Sequence, residues 1–259
     1  MLIIGENISV VSQKVSQAIK DRDEKVLQEM AKLQSDAGAD YIDINIGPAT
    51  KNGPDIMKWV VTSIQDVVDK PLALDTKNVD AIKAGLEVHK GKAMINSTLG
   101  ERSQLEVLMP LAKEFNACIV GLAMTEKGVP RDTTERCEVA LNIIAAAQEF
   151  DIPIEDLFLD PLMLPVAVAQ PQAFETLEGI KLFKQLAEPS PMTIVGLSNL
   201  SQSSPPHLKT TLNSTFLIML LMNGLDAAII NPLDKSLMSA VKTFDILQNK
   251  VLYAHSYLD

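Results

Sequence analysis

Side chains able to grip a flat polar ring recur in this chain just where short apolar runs end. Glu6 follows the run 2–5, Asp43 and Asn45 alternate with apolar residues in 41–46, and Asp75 closes 72–74. Asn96 closes 93–95, Asp160 closes 157–159, and Ser198 and Asn199 follow 192–197, with Ser201 and Gln202 just beyond. The set is rich in carboxylates and neutral amides and holds almost no Lys, Arg or His. One edge of an aminopyrimidinone shows two adjacent N–H donors that a single carboxylate can accept together as charge-assisted hydrogen bonds, and Asn supplies both a donor and an acceptor for the rest of such a ring. A pterin or purine-like ring therefore suits these residues better than a phosphate does. Each residue also has an ordinary reading: an Asx turn at Asp75, loop ordering by Asp160 before Pro161, a backbone bond from Asn96, a helix cap from Asn199 or Ser201. Their coincidence at corresponding positions favours a shared site.

The elements that must position them alternate without interruption. Strands are expected at 2–5, 41–46, 72–74, 93–95, 118–124, 157–159, 192–197 and 227–230, each a short apolar run bounded by turn or polar residues. Helical spacing of apolar residues fills the intervals: 15–33, 55–68, 79–88, 105–115, 134–150, 174–186, 208–222 and 236–249. The lone Trp59 is expected in the core. Eight strand–helix pairs in 259 residues predict one α/β domain, 1–259, closed as a (β/α)8 TIM barrel. An open doubly wound sheet would stop sooner, and no Gly-x-Gly-x-x-Gly follows any strand. In a barrel the carboxyl ends of the strands converge on one face, which would bring the polar residues together.

Composition narrows the partners. A formal charge of −10 argues against nucleic acid, which requires a basic footprint. The most apolar window, 216–222, is far shorter than the ~20 residues of a spanning helix, and no signal peptide is evident, so a cytoplasmic protein without membrane contact is expected. Cys118 and Cys137 read as free thiols in a reducing compartment. His89 and His255 lack partners at ligand spacing and are expected at the surface; no metal motif occurs, and no metal site is expected. The Met-rich stretch 216–222 reads as core, with a self-association face as the alternative.

Five segments carry a family resemblance over the whole chain: Tyr41-Ile-Asp-Ile-Asn-Ile-Gly-Pro48, Leu74-Asp-Thr76, Ala93-Met-Ile-Asn-Ser-Thr98, Asp160-Pro-Leu162 and Gly196-Leu-Ser-Asn-Leu-Ser-Gln202. In this order and spacing they resemble the pterin-binding methyltransferases that pass the methyl group of methyltetrahydrofolate to the cobalt of a corrinoid protein, above all those acting on the corrinoid iron-sulfur protein of the reductive acetyl-CoA pathway. The resemblance implies a pterin site carried by Asp75, Asn96 and Asp160, lined by Gly196, Ser198 and Gln202, with Asn199 beside the pterin N5. It implies methyltetrahydrofolate as substrate and a cobalamin-type corrinoid carried by a partner protein. A homodimer is expected. Two departures bear on the substrate's glutamate tail. Gly5-Glu6-Asn7-Ile8-Ser9 lacks the Arg and final Asn of the family's Gly-Glu-Arg-x-Asn, and His207 stands where relatives often carry Arg, leaving Lys209 as a substitute.

Removing a methyl group from a tertiary amine leaves a nitrogen that would become anionic unless a proton or hydrogen bond reaches it. The Asn199 amide can donate to N5 while the proton comes from water, and Asp75 can hold an ordered water or orient the ring. Two other readings are a dihydropteroate synthase-like enzyme, which would need cations for pyrophosphate that these strand ends lack, and a non-catalytic pterin-binding subunit.

Overall fold

The structure, a computed structural model, describes residues 1–48 and 51–258; positions 49, 50 and 259 lie outside the described residues. The strands are β1 (Leu2–Ser9), β2 (Tyr41–Asn45), β3 (Leu72–Asp75), β4 (Met94–Leu99), β5 (Cys118–Leu122), β6 (Leu157–Asp160), β7 (Met192–Gly196) and β8 (Ala227–Ile230). All pair in parallel in sequence order, and β8 returns to β1, closing the predicted barrel. The helices are α1 (Gln13–Asp21), α2 (Glu24–Asp36), α3 (Gly53–Gln65), α4 (Val79–Val88), α5 (Arg102–Glu114), α6 (Thr133–Glu149), α7 (Val166–Ala169), α8 (Pro171–Phe183), α9 (Pro206–Met222), α10 (Lys235–Leu247) and α11 (His255–Leu258).

The strands are short and apolar because both faces are covered. One face packs on the helices, where Ile42, Leu72, Leu74, Ile95, Ile119 and Leu159 are fully buried. The other fills the barrel with a plug of Ile4, Ala73, Met94, Cys118, Val120, Phe158, Ile194 and Ala227. Side chains two apart on a strand share a face. Glu6, Asp75, Asn96, Asp160 and Gly196 each lie two residues beyond a plug residue of their own strand, so they sit on the inward face above the plug.

Three sequence expectations are corrected here. The single helix expected over 15–33 is two, α1 and α2, because Arg22 turns left-handed (φ 57°) and Asp23 caps the second by accepting the Lys25 N–H. Extra short helices follow the sixth strand and close the chain at α7 and α11, where too few residues are involved to show a period. His89, expected to be a surface residue without a partner, is half-buried, and its Nε2 accepts the Leu72 N–H at 3.0 Å, fastening the amino end of β3. Burial holds its pKa below the ordinary value. Trp59 does pack against the core, with the Arg22 guanidinium 4.8 Å from its ring centroid. The Met-rich stretch is split: Phe216, Leu217 and Leu220 are buried, whereas Met219 and Met222 are exposed. No helix among the described residues is long and apolar enough to cross a membrane.

Candidate active site at the barrel mouth

Two strand irregularities shape the mouth. β1 carries one extra residue between its Gly5–Ile42 and Ile8–Ile44 pairings, and β4 one between Asn96–Val120 and Thr98–Gly121. Such bulges re-aim side chains at barrel rims. The β1 bulge is backed by Gln34 of α2, fully buried, whose Oε1 accepts the Asn7 N–H at 2.9 Å. A Cβ on Gly5 would lie 2.4 Å from that oxygen, so a side chain before Glu6 would displace the Gln34 amide that holds the bulge.

The polar residues then meet around the ring of strands. The Ser198 hydroxyl donates to Glu6 Oε1 at 2.6 Å, joining β1 to the turn after β7. The Asn96 amide donates to Asp43 Oδ1 at 2.9 Å, and the Asn45 amide donates to Asp75 Oδ2. Asn45 is locked by accepting the Gly47 N–H at 2.9 Å, and the buried Thr76 hydroxyl ties the next loop to the Gly47 carbonyl at 2.7 Å. Asp160 accepts the Leu162 N–H at 2.7 Å, with Leu162 in the left-handed region at φ 69°. The partners of these acids are amides, a hydroxyl and backbone N–H groups, and among the described residues none of them forms an ion pair with a lysine or arginine.

Burial disfavours the charged form of a carboxyl and raises its pKa. Burial pushes Asp160 up to about 7, against the pull of the Leu162 N–H, the Arg136 cation and the Gly196 N–H. Burial likewise raises Asp75 to about 6, opposed by the Asn45 amide. Asp43 stands well above its ordinary value through burial and the nearby Asp75 charge, and Glu6 is raised by burial despite the Ser198 bond. Such carboxyls gain most when a ligand brings them N–H donors.

The expected residues do not all converge. Glu6, Asp43, Asn45, Asp75, Asn96, Asp160, Gly196 and Ser198 gather at one end of the barrel. Asn199 ends a single 3-10 turn, Leu197–Asn199, and is exposed; its Nδ2 would lie 3.0 Å from a Cβ placed on Gly196. Gly196 is thus what lets the amide fold back over the strand end. Gln202 is exposed, as are His207 and Lys209 at the start of α9, and among the described residues their side chains make no hydrogen bond to the cluster. A cavity of about 700 Å³ runs outward from Asp75 and Leu122 between the loops after β3, β4 and β5, walled by Val79, Ile82 and Val107 with Lys77 at its rim.

Sequence reading passed over Gln34, Thr76, Lys77 and Arg136. Two of these did leave a signal: Gln34 follows Leu27 and Ala31 at core-face spacing, and Arg136 precedes Ala140 and Ile143 in the same way. A polar residue on an apolar helix face is the mark of a buried role.

Known proteins resemble this chain over most of its length. A methylcorrinoid:tetrahydrofolate methyltransferase of Eubacterium limosum is 26% identical over 249 residues, 95% of this chain and 91% of that protein. The methionine synthases of Mycobacterium leprae and Mycobacterium tuberculosis are 29% and 28% identical over 242 residues, 89% of this chain but only 20% of their own length. Among solved structures, 7,8-dihydropteroate synthase from Vibrio fischeri superposes with a TM-score of 0.74 at 18% identity, over 97% of this chain and 94% of that one, a likeness of fold alone. Residues 8–231, from the end of β1 to just past β8 and so spanning all the gathered strand ends except Glu6, match the family described as pterin binding enzyme, and the chain belongs to that family.

Proposed function

We propose that this protein is a methyltransferase that moves a methyl group between N5 of tetrahydrofolate and the cobalt of a corrinoid carried by a separate protein. The observation that supports this most is the meeting of Asp75, Asn96 and Asp160 on the inward face of the mouth, with the exposed amide of Asn199 at the rim. The acids take the polar edge of the pterin, Asp160 accepting paired N–H donors, and Ser198 and Gly196 shape the wall beside it. Gln202 lines the same opening, Glu6, Asp43 and Asn45 brace it, and His207 and Lys209 lie where a glutamate tail could pass.

In the direction from methyltetrahydrofolate, the electron pair of reduced cobalt forms a bond to the methyl carbon while the carbon–N5 bond breaks. The pair of the broken bond remains on N5, which takes a proton from water. The Asn199 amide donates a hydrogen bond to N5 as charge develops there, a stabilisation realised only as the bond breaks. Asp75 orients the ring or its ordered water. An exposed donor suits a reaction whose acceptor arrives on another protein. The Eubacterium limosum relative is named for transfer from the methylcorrinoid to tetrahydrofolate. The reverse transfer passes through the same transition state, so one site serves either direction.

The test is optical: methylation of free reduced cobalamin with methyltetrahydrofolate as donor, and demethylation of methylcobalamin with tetrahydrofolate. Tight folate binding without turnover in either direction would point to a non-catalytic pterin-binding subunit. Condensation of pterin pyrophosphate with p-aminobenzoate would point to dihydropteroate synthase-like chemistry. The iron-sulfur character of the partner and a homodimer belong to the same proposal; sedimentation reporting only monomer would remove the dimer.

A further inference from the structure

Behind Asp160, on the side away from the mouth, a guanidinium is sealed inside the protein. Arg136 lies on the core face of α6 and is 0% exposed. Its Nη2 donates to Gln172 Oε1 of α8, while Nε and Nη1 have no hydrogen-bond partner among the described residues. A cation buried with open donors is unfavourable unless anions compensate it, and an aliphatic side chain of similar volume would serve packing better.

Its anionic neighbours are Glu175, Asp160 and Asp132. All three also accept hydrogen bonds near the start of α6 or at the strand end. Asp132 caps α6 by accepting the Glu135 N–H at 3.0 Å, and Glu175 Oε2 accepts the Thr133 N–H at 2.8 Å and its hydroxyl at 2.6 Å. Asp160 alone of the three reaches the mouth. One ridge of α8 fixes both partners: Gln172 holds the guanidinium, and Thr176, one turn on and fully buried, donates to the Leu162 carbonyl at 2.9 Å. The Leu162 N–H then donates to Asp160 Oδ1 at 2.7 Å.

We propose that Arg136 is a positioning residue that acts through Asp160, keeping that carboxylate ionised and aimed so that it can accept the paired N–H donors of the pterin near neutral pH. The proposal rests on the reading that Asp160 takes the ring. Burial pushes Asp160 up to about 7, and Arg136 is the charge that opposes this. The strands beside Asp160 bring Leu122 and Gly196, neither charged. The charges on the helix side are Arg136 and Asp132 on α6, Glu175 on α8, and the exposed Arg131, whose carbonyl accepts from Gln172 at 2.9 Å. Glu6, Asp43 and Asp75 titrate across the mouth and enter the profile of every variant alike.

The experiment is methyltetrahydrofolate binding by calorimetry from about pH 5.5 to 9. Compared are the wild type, Arg136→Met, Arg136→Lys, Asp160→Asn and Arg136→Met with Asp160→Asn. In Arg136→Met the midpoint below which affinity falls should move up by about one pH unit, with Kd about fivefold weaker at pH 7 and within about threefold of wild type at pH 9. Arg136→Lys, which keeps the cation, should hold the midpoint near the wild-type value. In the Asp160→Asn background, Arg136→Met should shift nothing.

If Arg136→Met does not fold, Gln172→Glu leaves the guanidinium in place, still bonded, and sets an opposing charge beside it; the midpoint should again rise. A loss of affinity equal at every pH, with an unmoved midpoint, would make Arg136 a packing residue and overturn the proposal. Unchanged binding by Asp160→Asn would instead remove Asp160 from the ring site, and Arg136 with it.

Discussion

The two ends of the barrel treat their acids in opposite ways. At the floor, where the strands begin, Asp156 meets the Lys92 ammonium at 2.5 Å, and Asp226 Oδ2 accepts from Lys184 Nζ at 2.8 Å and from the Thr193 N–H and hydroxyl at 2.8 and 3.0 Å. At the mouth, where they end, Glu6, Asp43, Asp75 and Asp160 meet only amides, a hydroxyl and backbone N–H groups. A carboxylate in contact with a cation has its charge compensated; a buried one bonded only by neutral groups has its pKa raised. The floor acids therefore hold the fold together, whereas the mouth acids weaken it and gain their partners when a ligand arrives. Placing chemistry at the carboxyl ends and stability at the amino ends is general for this barrel.

The change that tests this division hardest is Asp160→Asn. Replacing a carboxylate that accepts two N–H donors by an amide that accepts one and opposes the other should weaken methyltetrahydrofolate binding on the order of 100-fold. The same change keeps an oxygen for the Leu162 N–H; it relieves the burial of one acid but takes one of three anionic neighbours from the buried Arg136, so the ligand-free Tm at about pH 8, read by calorimetry, should stay within a few degrees of wild type. Unchanged folate affinity would make Asp160 an ordinary structural acid.

Protons should act on the whole mouth in the same sense. Asp75 and Asp160 titrate at about 6 and 7 in the folded chain, above their ordinary value of 3.8. An acid whose folded pKa is raised stabilises the fold fully below its unfolded pKa, and that stability is lost as pH rises through the folded one. The ligand-free Tm should fall between about pH 4 and pH 7, while folate affinity, which needs the ionised carboxylates, rises over the upper part of that window. A saturating ligand should remove much of the slope. A Tm that instead climbs from pH 5 to 7 would show that these acids are stabilised rather than stranded.

At the rim, Asn199→Ala should slow single-turnover methyl transfer on the order of 10-fold or more, as expected for losing one transition-state hydrogen bond, with Kd for the folate within about threefold of wild type. An unchanged rate would take N5 activation away from Asn199.

The mouth was more legible in the sequence than what stands behind it. Eight short apolar runs, most of them ending in an acid, an amide or a hydroxyl, announce a barrel and its polar rim because burial on both faces and exposure at one end write different residues. The two bulges are invisible at that level, since Gly5-Glu6-Asn7 looks like any strand end until Gln34 is found bonded to the Asn7 backbone. Arg136 was hidden differently. A charge inside a helical pattern ordinarily reads as a solvated face, and only its core-face spacing with Ala140 and Ile143 contradicts that. The break at Arg22 is hidden because arginine rarely takes the left-handed conformation that glycine adopts freely.

The smallest expected effect comes from the floor and serves as the counterpart to Asp160→Asn. Lys184→Met keeps the aliphatic stem that packs beside Gly224 and removes the ammonium from Asp226 and from the Pro191 carbonyl. Asp226 still accepts both Thr193 donors, and the pair is partly open to water, so the loss should be about 1 kcal/mol, or roughly 2–4 °C in Tm. Folate affinity and its pH midpoint should stay within about twofold of wild type, because the plug of Ile194, Phe158 and their neighbours separates Lys184 from the mouth. A floor substitution that moved the midpoint would show that charge at one end of the barrel is felt at the other, and the division between a settled floor and an unsatisfied mouth would fail.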